Sequence, residues 1–191
     1  MTSNSDSKPA PEPGPPSHIA VLFSAETIAA RIEALADEIA ARGVITHPLV
    51  LIGVLRGAVP FVSDLARALS ARGVPLVVDY VSAASYTGRD AMGEVVLGPP
   101  PPSSVVAGRD VLIVDDILDT GLTLAAVLDS FERTSLARLA SCVLLDKTTR
   151  RINGLEADFV GFECPDRFVV GYGMDLDGRY RELPFIGTVG D

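Results

Sequence analysis

Positive charge is what this sequence has least to spare. Its 191 residues carry 16 Lys and Arg against 25 Asp and Glu, a formal net charge of −9. No basic field exists to hold nucleic acid nonspecifically, and an anionic ligand would need local positive groups. Cysteine is scarce too: Cys142 and Cys164 stand alone, only two histidines accompany them, and no metal-ligand spacing is present. Two core thiols in a reducing compartment is the plain reading. No apolar run reaches about 18 residues, so no membrane span is expected. The N-terminus has no basic-then-apolar leader pattern, and no internal repeat is visible. What remains is a single-domain cytoplasmic enzyme or regulator, with 48% hydrophobic residues to build a core.

Residues 1–17 are rich in Pro, Ser and Gly and nearly free of apolar side chains, so a disordered tail is expected there. A short apolar stretch, Ile19 to Phe23, precedes Ser24, a candidate helix N-cap with Glu26 in the first turn. Ile28, Ile32, Leu35 and Ile39 then share one helical face, ending near Gly43. Leu49 to Leu55 reads as a strand buried on both faces, followed by an Arg56-Gly57 turn. A helix from about Ala58 tolerates Pro60 in its first turn and closes at Gly73. With a strand at 76–82 this makes a right-handed parallel βαβ unit. The polar, Gly- and Pro-rich stretch at 83–108 is expected to be a lid, a hairpin or disordered.

Residues 111–123 carry the strongest local signal. Val111 to Val114 form a buried strand, with Asp115 and Asp116 expected at its C-terminal end. Asp119, Thr120, Gly121 and Thr123 make a short polar loop. Leu124, Val127, Leu128 and Phe131 then recur at helical spacing. Strand, hydroxyl- and glycine-bearing turn, then helix start is the outline of a phosphate cradle, because amides of a helix N-terminus point outward with partial positive charge. The adjacent carboxylates suit ribose hydroxyls or a metal. A strand at 139–145 follows, so Arg56-Gly57, Asp115-Asp116 and Asp146-Lys147 all fall at carboxyl ends of one parallel sheet, where ligands bind. Segments 158–162 and 168–172 read as short strands joined by a Pro165-Asp166 turn. They belong to a small lobe beside the N-terminal helix.

From about residue 19 to 189 the chain resembles the hypoxanthine (hypoxanthine-guanine) phosphoribosyltransferases. The 111–123 stretch is similar to their phosphoribosyl-pyrophosphate motif, and Leu55-Arg56-Gly57 to their pyrophosphate loop. Ser85-Tyr86 resembles the dipeptide of their mobile lid. Leu144 to Lys147 and Phe168 to Asp175 resemble their base-binding segments, and Arg179 to Pro184 the end of the bacterial members. The resemblance implies an α/β chain of the type I phosphoribosyltransferase fold: a twisted parallel sheet flanked by helices, a core at about 44–147, and a small hood from about 18–43 and 148–191. It also implies a homo-oligomer, dimer or tetramer, with no nucleic acid or membrane partner.

The activity implied is purine salvage: a 6-oxopurine base and phosphoribosyl pyrophosphate give a nucleoside 5′-monophosphate and pyrophosphate, with Mg²⁺. By resemblance, Asp119, Thr120, Gly121, Leu122 and Thr123 hold the 5′-phosphate. Asp115 and Asp116 meet the ribose diol directly or through Mg²⁺, and Asp175 is a further Mg²⁺-associated carboxylate. The family often has Glu where Asp115 stands, one methylene longer. Arg56, Gly57 and Arg181 are implied for pyrophosphate, with a cis peptide before Arg56. Asp119 is the implied base toward purine N7–H, against an N-cap as its ordinary reading. Lys147, a donor only, would pair the 6-oxo group and reject a 6-amino group. Phe168 would stack on the base, and backbone carbonyls near Val169 and Asp175 would accept from it. Competing readings are a xanthine-preferring enzyme, an RNA-binding regulator of pyrimidine genes on the same fold, and a response-regulator receiver. The receiver has its acidic pair near the domain start, whereas two strands precede it here.

Overall fold

The computed structural model describes residues 18–42, 48–85 and 95–190. The tail expected at 1–17, Gly43, and Tyr86, expected in a lid, lie outside them. Among the described residues, nine strands and four α-helices are ordered β1 (Ile19–Phe23), α1 (Ala25–Ala41), β2 (Leu49–Leu55), α2 (Val59–Ala71), β3 (Leu76–Ser85), β4 (Val95–Leu97), α3 (Ser103–Val106), β5 (Asp110–Leu118), α4 (Leu122–Ser130), β6 (Arg138–Asp146), β7 (Phe159–Glu163), β8 (Val169–Val170) and β9 (Ile186–Val189). The main sheet runs β4-β3-β2-β5-β6-β7, parallel except for β4, and a second sheet runs β1-β9-β8.

Alternation along the central strands sorts side chains onto two faces. Leu49 and Leu51 of β2, Leu112 and Val114 of β5, and Cys142 and Leu144 of β6 join α1 and α2 in one core. Val50, Ile52, Val54, Val111, Ile113 and Val143 point the other way, toward Leu124 and Val127 of α4 and Val106 of α3. Covering both faces is why these strands read as continuous apolar runs. Phe61, Leu65 and Leu69 of α2 are fully buried, each contributing about 1.5–3 kcal/mol. Ser24 caps α1 as expected, its Oγ accepting from Thr27 N at 3.2 Å. Arg31 of α1 covers the outer edge strand, donating to the carbonyls of Val160 (2.7 Å) and Gly161 (2.8 Å), which protects groups that would otherwise offer a pairing edge. Both cysteines are free thiols in the core. Among the described residues no helix is long and apolar enough to cross a membrane.

Two expectations change. Segments 158–162 and 168–172 do not form a hairpin: β7 pairs in parallel with β6, while β8 pairs antiparallel with β9 in the second sheet. Both segments are short and apolar, so periodicity could not tell which sheet each would enter. The second sheet joins the two ends of the described chain, since β1 also pairs with β9. The stretch at 83–108 takes the hairpin alternative, with β4 antiparallel to the end of β3, and then the short helix α3. Finally, β5 continues through Asp115 and Asp116 to Leu118 instead of ending at them. Pairing with β6 carries it on: Ile117 opposes Leu145 and Leu118 opposes Asp146.

Candidate active site

Strand β2 has β3 on one side and β5 on the other, so the chain reverses its direction of travel across the sheet between β2 and β5. The carboxyl ends there form the crevice where such sheets bind ligands. Arg56 and Gly57 follow β2, across a cis peptide between Leu55 and Arg56. Gly57 is buried against the acidic pair: a Cβ built on it would lie 1.6 Å from Oδ2 of Asp116. Arg56 beside it is exposed. From the other side, Gly173 comes so close that a Cβ there would lie 2.0 Å from the Gly57 carbonyl oxygen, with φ at +98°. Tyr172 locks that contact by donating its hydroxyl to Asp64 of α2.

A cleft of about 320 Å³ opens along this rim, lined by Asp116, Asp119, Lys147, Phe168, Val169 and Asp175 among others. Six residues assigned from sequence to one site thus converge from β5, the end of β6 and the second sheet. Arg56, Gly57, Asp115, Thr120, Gly121, Leu122, Thr123 and Arg181 are not in its lining, though Arg181 lies beside it and acts on Asp116. Arg181 donates to the Gly173 carbonyl (2.6 Å) and pairs with Asp175 (2.5 Å), whose other oxygen accepts from Gly178 N at 2.8 Å. Ser85 ends β3.

The electrostatics of the acidic pair are unusual. Asp115 is 4% exposed. Burial pushes its carboxyl well above the ordinary range, and the neighbouring charge of Asp116 pushes further. Asp116 is also raised by burial, with backbone amides and Arg181 working against the rise. Two such carboxylates gain from hydrogen-bond donors or a cation brought to them. Among the described residues no group of three or more His, Cys, Asp or Glu side chains converges as a metal cage. Mg²⁺ does not need one: it keeps several waters, takes oxygens from substrate phosphates, and is held by one or two carboxylates. Asp115, Asp116 and Asp175 offer oxygen donors of that kind.

Asp119 does not cap α4. The cap position is Gly121, in the left-handed region at φ +89°, with no side-chain cap bond. The Oδ1 of Asp119 is buried without a hydrogen-bond partner. Arg150 Nε stands 3.3 Å away, close enough to pair but not aligned to donate. Lys147 is 5% exposed and donates Nζ to the Arg167 carbonyl at 2.8 Å, so it is not a solvated strand-end lysine. Phe168 is 56% exposed where it lines the cleft, so it is not a core aromatic.

Several lining residues were not assigned to the site from sequence: Ile117, Arg150, Asp166 and Arg167, while Met174 falls within the Phe168 to Asp175 segment without a role of its own. The basic pair Arg150-Arg151 stands close after Lys147, which was the one available signal. Periodicity assigns no direction to side chains in a 3-10 turn such as Thr148–Arg150.

Comparison with known proteins agrees with this geometry. The phosphoribosyl transferase domain family matches residues 20–177. The hypoxanthine-guanine phosphoribosyltransferase of Bacillus subtilis is 41% identical over 170 residues, 88% of this chain and 92% of that protein. The hypoxanthine phosphoribosyltransferase of Salmonella typhimurium is 40% identical over 173 residues, covering 90% and 95%. The Trypanosoma cruzi hypoxanthine phosphoribosyltransferase, solved in complex with the product IMP, superposes with a TM-score of 0.83 at 37% identity, covering 93% of this chain and 97% of that one. The chain belongs to the phosphoribosyltransferase family, in the group whose members are hypoxanthine and hypoxanthine-guanine phosphoribosyltransferases.

Proposed function

We propose that this protein transfers the 5-phosphoribosyl group of phosphoribosyl pyrophosphate to hypoxanthine or guanine, giving IMP or GMP and pyrophosphate in purine salvage. The observation that carries the reading is the convergence of Asp116, Asp119, Lys147 and Phe168 on one cleft at the switch point of the sheet.

In this reading the 5′-phosphate sits on the amides and hydroxyls of Asp119 to Thr123. The ribose diol faces Asp115 and Asp116, whose raised proton affinity suits hydroxyl donors or a cation. The purine stacks on Phe168, with its 6-oxo group on Lys147 and its edge on backbone carbonyls near Val169 and Asp175. A 6-amino group would set donor against donor there, leaving buried polar groups unpaired. Purine N9 attacks C1′, the C1′–O bond breaks, and its electron pair leaves on pyrophosphate. The N7 proton passes to Asp119, whose buried Oδ1 accepts no hydrogen bond from the protein. Positive charge developing on the ribose is offset by the nearby carboxylates. Arg56, Gly57 and Arg181 receive the pyrophosphate, and Ser85-Tyr86 belong to a lid that excludes water. Mg²⁺, held through Asp115, Asp116 or Asp175, would neutralise diphosphate charge. A homo-oligomer, dimer or tetramer, working in the cytoplasm completes the reading.

One assay tests it: purified protein and phosphoribosyl pyrophosphate, with or without Mg²⁺, and hypoxanthine, guanine, xanthine or uracil in parallel. IMP and GMP should form, only with metal present. A product from xanthine alone would favour a xanthine-preferring enzyme. No nucleotide from any base would overturn the proposal.

A further inference from the structure

Behind the loop at 118–121 lies an arrangement that neither the resemblance nor the cleft explains. Four successive carbonyls, those of Leu118, Asp119, Thr120 and Gly121, all accept from the segment 147–153. Leu118 O takes Lys147 N (2.9 Å) and Arg151 Nη2 (3.0 Å), and Asp119 O takes Arg151 Nε (2.9 Å). Thr120 O takes Ile152 N (3.1 Å), and Gly121 O takes Asn153 Nδ2 (3.0 Å). Arg151 also donates to the Leu155 carbonyl and to Asp146, and its side chain is only 9% exposed. The packing is close: a Cβ on Gly121 would lie 2.2 Å from Asn153 Oδ1 and 2.9 Å from Arg151 Cδ.

In a trans peptide the C=O of one residue and the N–H of the next lie antiparallel. Tying down carbonyls 118 to 121 therefore aims the amides of residues 119 to 122 in the opposite direction, as a set. The first amides of α4 have no partner inside the helix; Leu122 N meets only the Thr120 hydroxyl, at a long 3.4 Å, so this orientation presents donors to an acceptor in front of the loop. A guanidinium suits the task because its planar fork reaches several carbonyls in fixed directions while Asp146 balances its charge.

We propose that Arg151 and Asn153 act as a strut that positions the phosphate loop, aligning its amides on the substrate 5′-phosphate without touching it. This rests on the assignment of that loop to the 5′-phosphate. The strut predicts an effect confined to the phosphate, whereas a merely structural pair would weaken all ligands alike or lower only the melting temperature.

The test compares IMP with inosine, which differ by the 5′-phosphate, by calorimetric titration of the full chain. Variants are Arg151→Lys, which keeps the charge toward Asp146 but loses the fork, and Asn153→Ala. In each, the ratio of IMP to inosine affinity should fall by about tenfold, as expected for losing one or two well-aligned hydrogen bonds, with inosine affinity unchanged. KM for phosphoribosyl pyrophosphate should rise while KM for hypoxanthine stays put. If the ratio holds in folded variants, or both ligands weaken equally, the strut is overturned. Should Arg151→Lys not fold, Asn153→Ala decides by the same criterion. If the unmodified protein makes nucleotide but binds inosine as tightly as IMP, the phosphate-loop assignment fails and the strut with it, while the transferase reading stands.

Discussion

The carboxylate of Asp116 fills the space that a side chain on Gly57 would need: a Cβ there would come within 1.6 Å of its Oδ2 and 2.6 Å of its Cγ. The carboxylate cannot simply swing aside, because its Oδ1 accepts from Ile117 N at 2.8 Å. Gly57→Ala must therefore shift Asp116 or open the β2–β5 crevice. Overpacking of this kind costs about 1–3 kcal/mol, so the variant should still fold. Its activity should suffer far more, by about 10²-fold in kcat/KM for phosphoribosyl pyrophosphate, as when a positioned group is displaced by about 1 Å. Steady-state kinetics beside a thermal melt separates the two effects. Near-normal kinetics would show that Asp116 has no such role.

Asp119→Asn removes a proton acceptor while keeping shape. Turnover should fall by about 10²–10⁴-fold, the usual span for a general base, with IMP affinity within a few-fold of the unmodified protein. The paired measurement is kcat against calorimetric IMP binding. Turnover close to normal would place proton transfer on another group.

Phe168 and Lys147 offer contrasting tests of the base pocket. A buried Phe truncated to Ala costs about 3–5 kcal/mol, but Phe168 is more than half exposed. Phe168→Ala should thus leave the melting temperature nearly unchanged while raising KM for hypoxanthine. Lys147→Ala should lose affinity for both 6-oxopurines and relax rejection of adenine, with phosphoribosyl pyrophosphate binding retained. A large loss of stability in the first variant, or unchanged base kinetics in the second, would contradict these roles.

Alkaline pH should destabilise the protein through two buried groups. Burial pushes the Cys142 thiol far up, and burial with the Asp64 contact does the same for the Tyr172 hydroxyl. Both hold their protons in the folded state at a pH where the unfolded chain releases them. Their contribution is therefore fully present below the ordinary thiol and phenol ranges, from about pH 8.5 for Cys to about 10 for Tyr, and is lost as pH rises through them. Each pH unit above the ordinary value costs about 1.4 kcal/mol per group. The melting temperature should fall between about pH 8 and 10, and Cys142→Ala should flatten that fall. An identical slope in the variant would assign the alkaline loss elsewhere.

Much of this was legible along the chain. The apolar runs of β2, β5 and β6 read correctly because strands covered on both faces leave no polar alternation to misread. The face of α1 followed from its spacing, and its start from Ser24, because capping is local chemistry. Asp119, Lys147 and Phe168 were singled out through motif resemblance, and the structure sets aside the ordinary alternative of each. The cap went to Gly121, the lysine proved buried, and the aromatic proved exposed. The reach of β5 past the acidic pair was not legible, since a neighbouring strand supplies those ladder bonds.

Local order, then, was written in the residue pattern: which stretches are strands and helices, where they start, and which polar turns end on one rim. Those properties depend on contacts a few residues apart. Which sheet β7 and β8 each join, how closely Gly173 sits on Gly57, and that Arg151 and Asn153 hold the carbonyls of Leu118, Asp119 and Gly121 depend on partners about 20 to 120 residues distant. The side chains of Arg151 and Asn153 take three of those carbonyls, and Ile152 N takes that of Thr120. Such contacts leave no periodic trace, because side-chain direction in turns and short strands is set by what packs against them.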